Sequence, residues 1–498
     1  MNQCYSIHRV IAERGYFAQA IGYDDILRVR LVKLRNGNHT YPGRPLPALT
    51  YHPRIGAWPG ASGGQVAPAA RFLFVIFLLF QFPAFGYQLE YTDTGHSASR
   101  IIQLINLMTG AFAVFMIYGT RGAAVAVQRC WPVLVLIGLP FFSVAWSTYP
   151  TGTLRGSTTF LFSCLFSLAL AICFPARAGL RFVIRVMTLG CVLSVVWALL
   201  LPRVGVHQAT DFIQNVHAVL WRGIFTHKQG LGVFAGLTFG LLLFYGSLAF
   251  PILIMRVGAI ACAGACLWGT QSATGRIVAI TMTASLFITH WICGFRPVVR
   301  RIVLRALVIA LAVALVAFYF GLLSFVPALF GKSSDLTGRS EGWWVVQNSF
   351  AHSGRLLLGG GFTSGFAQDM SFGLPIDNAY ITKLMEFGYA GCAIIFSVLG
   401  WIFVAGMRLL FKTEIKSAAL HVFPASLMIT LTFLCITETG LMEKNIETTL
   451  MILAIHIVLV EREPSSYSRP RAIGERPRDR FTQQPYGSSE WRKERPSA

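Results

Sequence analysis

Residues with the chemistry for catalysis or charge recognition fall in three short stretches of the chain. The first reads Trp221-Arg222-Gly223-Ile224-Phe225-Thr226-His227-Lys228-Gln229-Gly230-Leu231-Gly232. Arg222, His227 and Lys228 are or can become cationic and lie within seven residues, directly before an apolar run. Such a cluster at a helix N-terminus suits an anion, because backbone N–H groups add to the side-chain charge. Interfacial anchoring by Trp221 and Arg222, or contact with lipid phosphate, is the plainer alternative. The second stretch, Ser272-Ala273-Thr274-Gly275-Arg276, brings another guanidinium to the start of an apolar run, where snorkelling explains it equally well. The third begins at Asp335-Leu336-Thr337-Gly338-Arg339-Ser340-Glu341-Gly342-Trp343-Trp344. It passes through Gly359-Gly360-Gly361 to Asp377-Asn378-Ala379-Tyr380 and Gly388-Tyr389-Ala390-Gly391. Arg339 has the planar fork that grips a phosphate in bidentate fashion. The glycine run offers N–H donors or is loop filler. Asp377 is placed to act as a base, or to cap a helix.

The elements that must position these residues are membrane helices. The chain is 498 residues long, 54% hydrophobic and only 13% charged, with a mean hydropathy of +0.59. A soluble protein of this length needs more charge on its surface. The apolar residues occur in runs close to the ~20 residues that cross a hydrocarbon core. The fold class expected is an all-α polytopic membrane protein with about twelve spans. They lie near 72–87, 101–118, 133–146, 158–174, 182–201, 231–245, 251–268, 277–295, 306–323, 391–410, 420–436 and 448–459. Gly232, Gly236 and Gly240, at spacing four, open the sixth span and permit close helix approach in lipid.

The net charge of +21 invites a nucleic-acid reading, but the basic residues sit in short blocks between apolar runs. Arg121 and Arg129; Arg177, Arg181 and Arg185; Arg256; Arg296, Arg300, Arg301 and Arg305; and Arg408, Lys412 and Lys416 occupy alternate connections. With the two tails, that side holds most of the basic residues, so both termini are expected in the cytoplasm and no nucleic-acid partner is expected. Three divisions follow. Residues 1–68 form a basic tail, without the short apolar core of a signal peptide. Residues 69–460 form the membrane domain, and 461–498 form a Pro-, Ser- and Arg-rich tail expected to be disordered. Two outward connections are longer than the rest, about 202–230 and 324–387, and the second is too long for a mere connector. The ten cysteines are scattered, mostly in apolar segments, and no set with metal-ligand spacing forms. Neither a metal nor a cofactor is expected.

Together these stretches resemble the O-antigen ligase and polysaccharide polymerase superfamily, most closely its ExoQ-type exopolysaccharide polymerases. The run from Arg222 to Gly232 is similar to that family's phenylalanine–histidine–lysine–asparagine–glycine segment before a membrane helix, with Gln229 in the asparagine's place. Thr337-Gly338-Arg339 followed by Trp343 resembles its threonine–glycine–arginine element. Asn378, nine intervening residues, Gly388 and Gly391 match the tail of the ligase motif, whose histidine is Asp377 here.

The resemblance implies a GT-C-like, metal-independent glycosyltransferase of the bacterial inner membrane, active on the periplasmic face. Its donor would be a growing glycan on undecaprenyl pyrophosphate and its acceptor a lipid-linked repeat unit. A chain-length regulator and an export complex are the protein partners implied, and the bilayer is the surrounding solvent. Cleaving the sugar–phosphate bond leaves charge on pyrophosphate, which cations must stabilise. Arg222, Arg276 and Arg339, with Lys228, are the candidates for that charge. Asp377 is the leading candidate to position or deprotonate the acceptor hydroxyl, with His227 as the alternative base. Gln229, Asn378 and Tyr380 complete the expected substrate contacts. Transfer to a lipid acceptor, as in the ligases, is the nearest alternative. A flippase or transporter is the second, opposed by the scarcity of ionisable residues in the spans beyond His290, His421 and His456.

Overall fold

The computed structural model describes residues 66–82, 100–120, 123, 127–128, 130–209, 218–319, 339–371, 376–412 and 418–460. All of them belong to the compact unit Gly56–Ala498. The expected tails, apart from residues 66–68, and the Thr337-Gly338 pair lie outside the described residues.

Among the described residues the architecture is helical. In chain order the helices are α1 (Pro68–Gln81), α2 (Arg100–Tyr118), α3 (Trp131–Ser143), α4 (Pro150–Cys173), α5 (Ala176–Leu200), the single turn α6 (Pro202–Gly205), α7 (Lys228–Ala249), α8 (Leu253–Thr270), α9 (Ala273–Cys293), α10 (Pro297–Tyr319), α11 (Arg339–Ala351), α12 (Phe366–Met370), α13 (Ala379–Lys412), α14 (Ala418–Thr437) and α15 (Ile446–Val460). A helix stands at each of the twelve expected spans. Among the described residues eight of these are long and apolar enough to cross a membrane, α1, α3 with its 3-10 extension, and α15 are shorter apolar helices, and α10 falls in neither group. The protein is therefore a polytopic membrane protein. In hydrocarbon every backbone polar group needs an internal partner, and a helix supplies one within the segment.

Starts and stops follow local chemistry. Pro68, Pro150 and Pro202 occupy the first turn of α1, α4 and α6, where a missing N–H costs nothing. Ser272 caps α9, its hydroxyl accepting from Gly275 N at 3.1 Å. Asn445 caps α15, its side-chain oxygen accepting from Thr448 N at 3.0 Å.

Packing is closest between α7 and α9. A Cβ added to Gly236 would overlap the Gly275 carbonyl, one on Gly275 the Gly232 carbonyl, and one on Gly240 would press on Met282. The glycine ladder thus acts structurally, letting two backbones touch. Short polar side chains tie further pairs: Thr289 to Ser426 at 2.9 Å between α9 and α14, and Ser167 to Thr449 at 3.0 Å between α4 and α15.

Helix boundaries differ most from expectation at α13. It starts at Ala379, twelve residues before the expected span at 391, and breaks at Gly388 (φ 61°, ψ −170°). The apolar run marks only the part beyond the break. The large loop accordingly ends at Asn378, and Lys383 and Glu386 become helix residues.

Candidate functional site

The expected residues gather in two groups at helix ends. The first forms around the starts of α7 and α9. Residues 204–207 and 219–223 run antiparallel: His207 N donates to Leu220 O, Val219 N to His207 O, and both Arg222 N and Gly223 N to Gly205 O, all at 2.8–2.9 Å. Trp221 N donates to Gly269 O at 3.0 Å, joining this loop to the end of α8 and so to the Arg276 turn.

Arg222 is fully buried, and its Nε donates to Val204 O in α6 at 2.6 Å. Three other arginines do the same work elsewhere. Arg185 Nε donates to Ala249 O at the end of α7, Arg300 Nη2 to Phe411 O near the end of α13, and Arg355 Nη1 to Trp146 O after α3. A guanidinium placed on terminal helix carbonyls satisfies groups that have no intrahelical partner. That is a structural reason for Arg222 to oppose the charge rule. Arg276 is exposed at the surface, and Lys228 is half-buried.

His227 is the N-cap of α7, its Nδ1 accepting from Gln229 N at 3.2 Å. A second histidine joins it. His207, buried, accepts through Nε2 from Lys228 N at 3.2 Å, and the two rings lie edge to face with centroids 5.4 Å apart. The first N–H groups of α7, expected to receive an anion, are thus taken by two imidazole nitrogens. His207 was not singled out in the sequence, because it lies twenty residues away from His227.

The second group surrounds the start of α13. Asn378 is buried and supplies the N-cap, its Oδ1 accepting from Ile381 N at 3.1 Å. Capping therefore accounts for Asn378 and not for Asp377, which sits one residue outside. The residue before Asp377 is tied to α11: the Trp343 indole donates to Ile376 O at 3.0 Å. Trp343 belongs to α11, which opens with Arg339; the Arg339 side chain lies outside the described residues. Tyr380 donates its hydroxyl to Thr432 O of α14 at 2.8 Å.

Beneath this mouth lies a charged cluster that the sequence reading missed. Lys383 and Glu386, both buried, form an ion pair at 2.8 Å. Glu386 also accepts from Thr363 N at 3.0 Å, and the Lys383 ammonium lies 5.0 Å from the centre of the Phe362 ring. Glu443, in the connection between α14 and α15, faces the same pair. Burial pushes its carboxyl up to about 7, with Lys383 pulling it down and Glu386 pushing it up. Its neighbour Lys444 donates to Asn106 of α2 at 2.6 Å. A small cavity between α14 and α15 is lined mostly by apolar side chains, among them Leu431, Leu434 and Met451, with Glu438, Glu447 and Thr448 at its wall. The only sequence signal was the density of acids in Glu438-Thr439-Gly440-Leu441-Met442-Glu443-Lys444-Asn445-Ile446-Glu447.

The glycine run is committed to backbone pairing. Gly359 N, Gly360 N and Gly361 N donate to Arg355 O, Met385 O and Glu386 O at 2.8–2.9 Å, so these N–H groups serve the fold. Among the described residues no group of histidine, cysteine and carboxylate side chains forms a metal site. Comparison of the chain with protein families, with curated proteins and with solved structures gives no match.

Proposed function

We propose that this chain is a multi-pass glycosyltransferase of the bacterial inner membrane that polymerises undecaprenyl-pyrophosphate-linked repeat units on the periplasmic face. The reading places twelve spans with both termini in the cytoplasm. Contacts near the helix ends support that alternation: Arg185, in the first half of α5, reaches Ala249 and Arg300 reaches Phe411 on the side assigned inside, whereas Trp221 meets Gly269 and Lys444 meets Asn106, in the first half of α2, on the side assigned outside.

The observation that carries the reading is the mouth of α13. Asp377 stands there outside the helix cap, next to the Ile376 carbonyl that Trp343 holds, and the helix behind it carries a buried ion pair. In the proposed reaction Asp377 positions the acceptor hydroxyl. It also takes up that hydroxyl's proton as the displaced diphosphate leaves. Arg276, Lys228 and Arg339 meet the departing diphosphate, while Arg222 fixes the loop that presents Lys228. Gln229 and Tyr380 remain on the acceptor side of the proposal as substrate contacts.

The test is incubation of the purified protein, in lipid, with lipid-linked repeat units and no added metal or nucleotide. A ladder of higher oligomers is expected, and Asp377→Asn is expected to slow it by about 100-fold or more. Repeat units that stay single with the wild-type protein would overturn the reading.

One observation favours a second reading. Lys383, Glu386 and Glu447 lie inside helices, so the apolar body holds more ionisable groups than its spans suggest, and such groups mark transport pathways. A flippase would trap single units on the cytoplasmic leaflet when disabled, whereas a disabled polymerase leaves them outside.

A further inference from the structure

The break in α13 is filled by another part of the chain. In an unbroken helix Tyr389 N and Ala390 N would donate to Met385 O and Glu386 O. Here they donate instead to Leu356 O and Leu357 O at 2.9 and 3.0 Å, and the two vacated carbonyls accept from Gly360 N and Gly361 N at 2.8 and 2.9 Å. Residues 355–363 thus form a strap that takes over both halves of a missing helical turn.

Its far side is fastened to the end of α3. Trp146 Nε1 donates to Leu358 O at 2.6 Å, Thr148 N to Gly360 O at 2.8 Å, and Phe362 N to the Ser143 hydroxyl at 3.1 Å. Its near side is fastened by side chains of α13 itself. Glu386 accepts from Thr363 N, Lys383 sits over Phe362, and Phe362 stacks on Phe387 with centroids 5.6 Å apart. One carboxylate therefore bonds the strap through one oxygen and the buried lysine through the other.

We propose that Lys383 and Glu386 are positioning residues for the transfer reaction: their ion pair seats the 355–363 strap in the break of α13, and the break sets the direction of the turns that carry Asp377. The role rests on the polymerase reading above. The pair does not touch substrate. It acts by holding residues 379–387 at a fixed angle to the rest of α13, and a misplacement of about 1 Å at a reacting group costs on the order of 100-fold in rate.

The experiment uses the full chain in lipid nanodiscs with three variants: Glu386→Gln, which keeps an acceptor for Thr363 N–H; Lys383→Met; and the neutral double variant. Each single change strands one buried charge of the pair without its partner, whereas the double change removes both. Hydrogen exchange is read at Gly360, Gly361, Tyr389 and Ala390. Exchange at these four amides is expected to rise at least about tenfold in the single variants, to recover in part in the double, and to stay unchanged in α7 and α9. In the oligomer assay kcat falls about 100-fold in the single variants while KM holds, and the double variant recovers part of the loss. Wild-type exchange at the four amides in Glu386→Gln overturns the seating of the strap. Wild-type kcat in the presence of raised exchange overturns the positioning role. Absence of a ladder from the wild-type chain overturns the polymerase reading itself and leaves the exchange result standing.

Discussion

Arg222 and Arg276 stand beside neighbouring helix starts, yet one is sealed in protein and the other reaches the surface. Their substitution should separate fold from chemistry. Arg222→Ala removes the donor to Val204 O and a fully buried side chain, and is expected to cost about 1–3 kcal/mol in thermal unfolding of the purified protein. Arg276→Ala should leave the unfolding temperature in place and lower oligomer yield alone. Glu443 makes a prediction of its own. Its folded carboxyl titrates near 7 against an ordinary value of 4.5, so the folded state holds the proton more tightly than the unfolded chain. Stability contributed here is present below the ordinary value and is lost as pH rises toward 7. Glu443→Gln should flatten that slope and, above pH 7, unfold at higher temperature than the wild type, by about 1–3 kcal/mol of stability. A variant whose slope matches the wild type would refute the assignment.

Two elements owe their form to single glycines. The α7 ladder needs small residues because Gly236 touches the backbone of Gly275. Gly388 needs its missing Cβ twice over: its φ is positive, and a Cβ there would overlap the Leu357 carbonyl of the strap. Gly388→Ala is therefore expected to destabilise the protein by about 1–3 kcal/mol and to raise hydrogen exchange at Gly360 and Gly361. The spacing of Gly388 and Gly391 after Asn378 thus has a physical account at the first glycine, namely a break that admits the strap. At this scale the sequence predicted where apolar helices stand, eight of them long enough to span among the described residues, because each needs only a long apolar run. Their ends were less legible. Lys383 and Glu386 were counted in a loop, since hydropathy stops where charge begins while the helix continues to Ala379.

At the scale of the whole molecule, orientation is the property that every functional assignment shares. Cysteines introduced at Thr226, Lys444 and Arg256 report it directly. With an impermeant maleimide on intact cells, the first two should label and the third should not, labelling only after lysis. Labelling of Arg256→Cys on intact cells, with Thr226→Cys protected, would invert the topology and remove the proposed periplasmic chemistry.

From the sequence alone came the class of the protein and the placement of its cationic stretches. Hydrocarbon imposes a minimum length on each apolar run, and charge bias between runs follows from the energetics of insertion; both are written along the chain without reference to any contact. Which charged groups meet was decided only by tertiary structure. Glu386 is bonded to Thr363, 23 residues upstream, the pair faces Glu443, nearly sixty residues downstream, and His207 reaches the α7 start from twenty residues before His227. Arg222 changed from an expected anion ligand to a buried lock on the Val204 carbonyl for the same reason. A guanidinium serves phosphate or backbone oxygen equally well, and only the folded chain determines which oxygen is near.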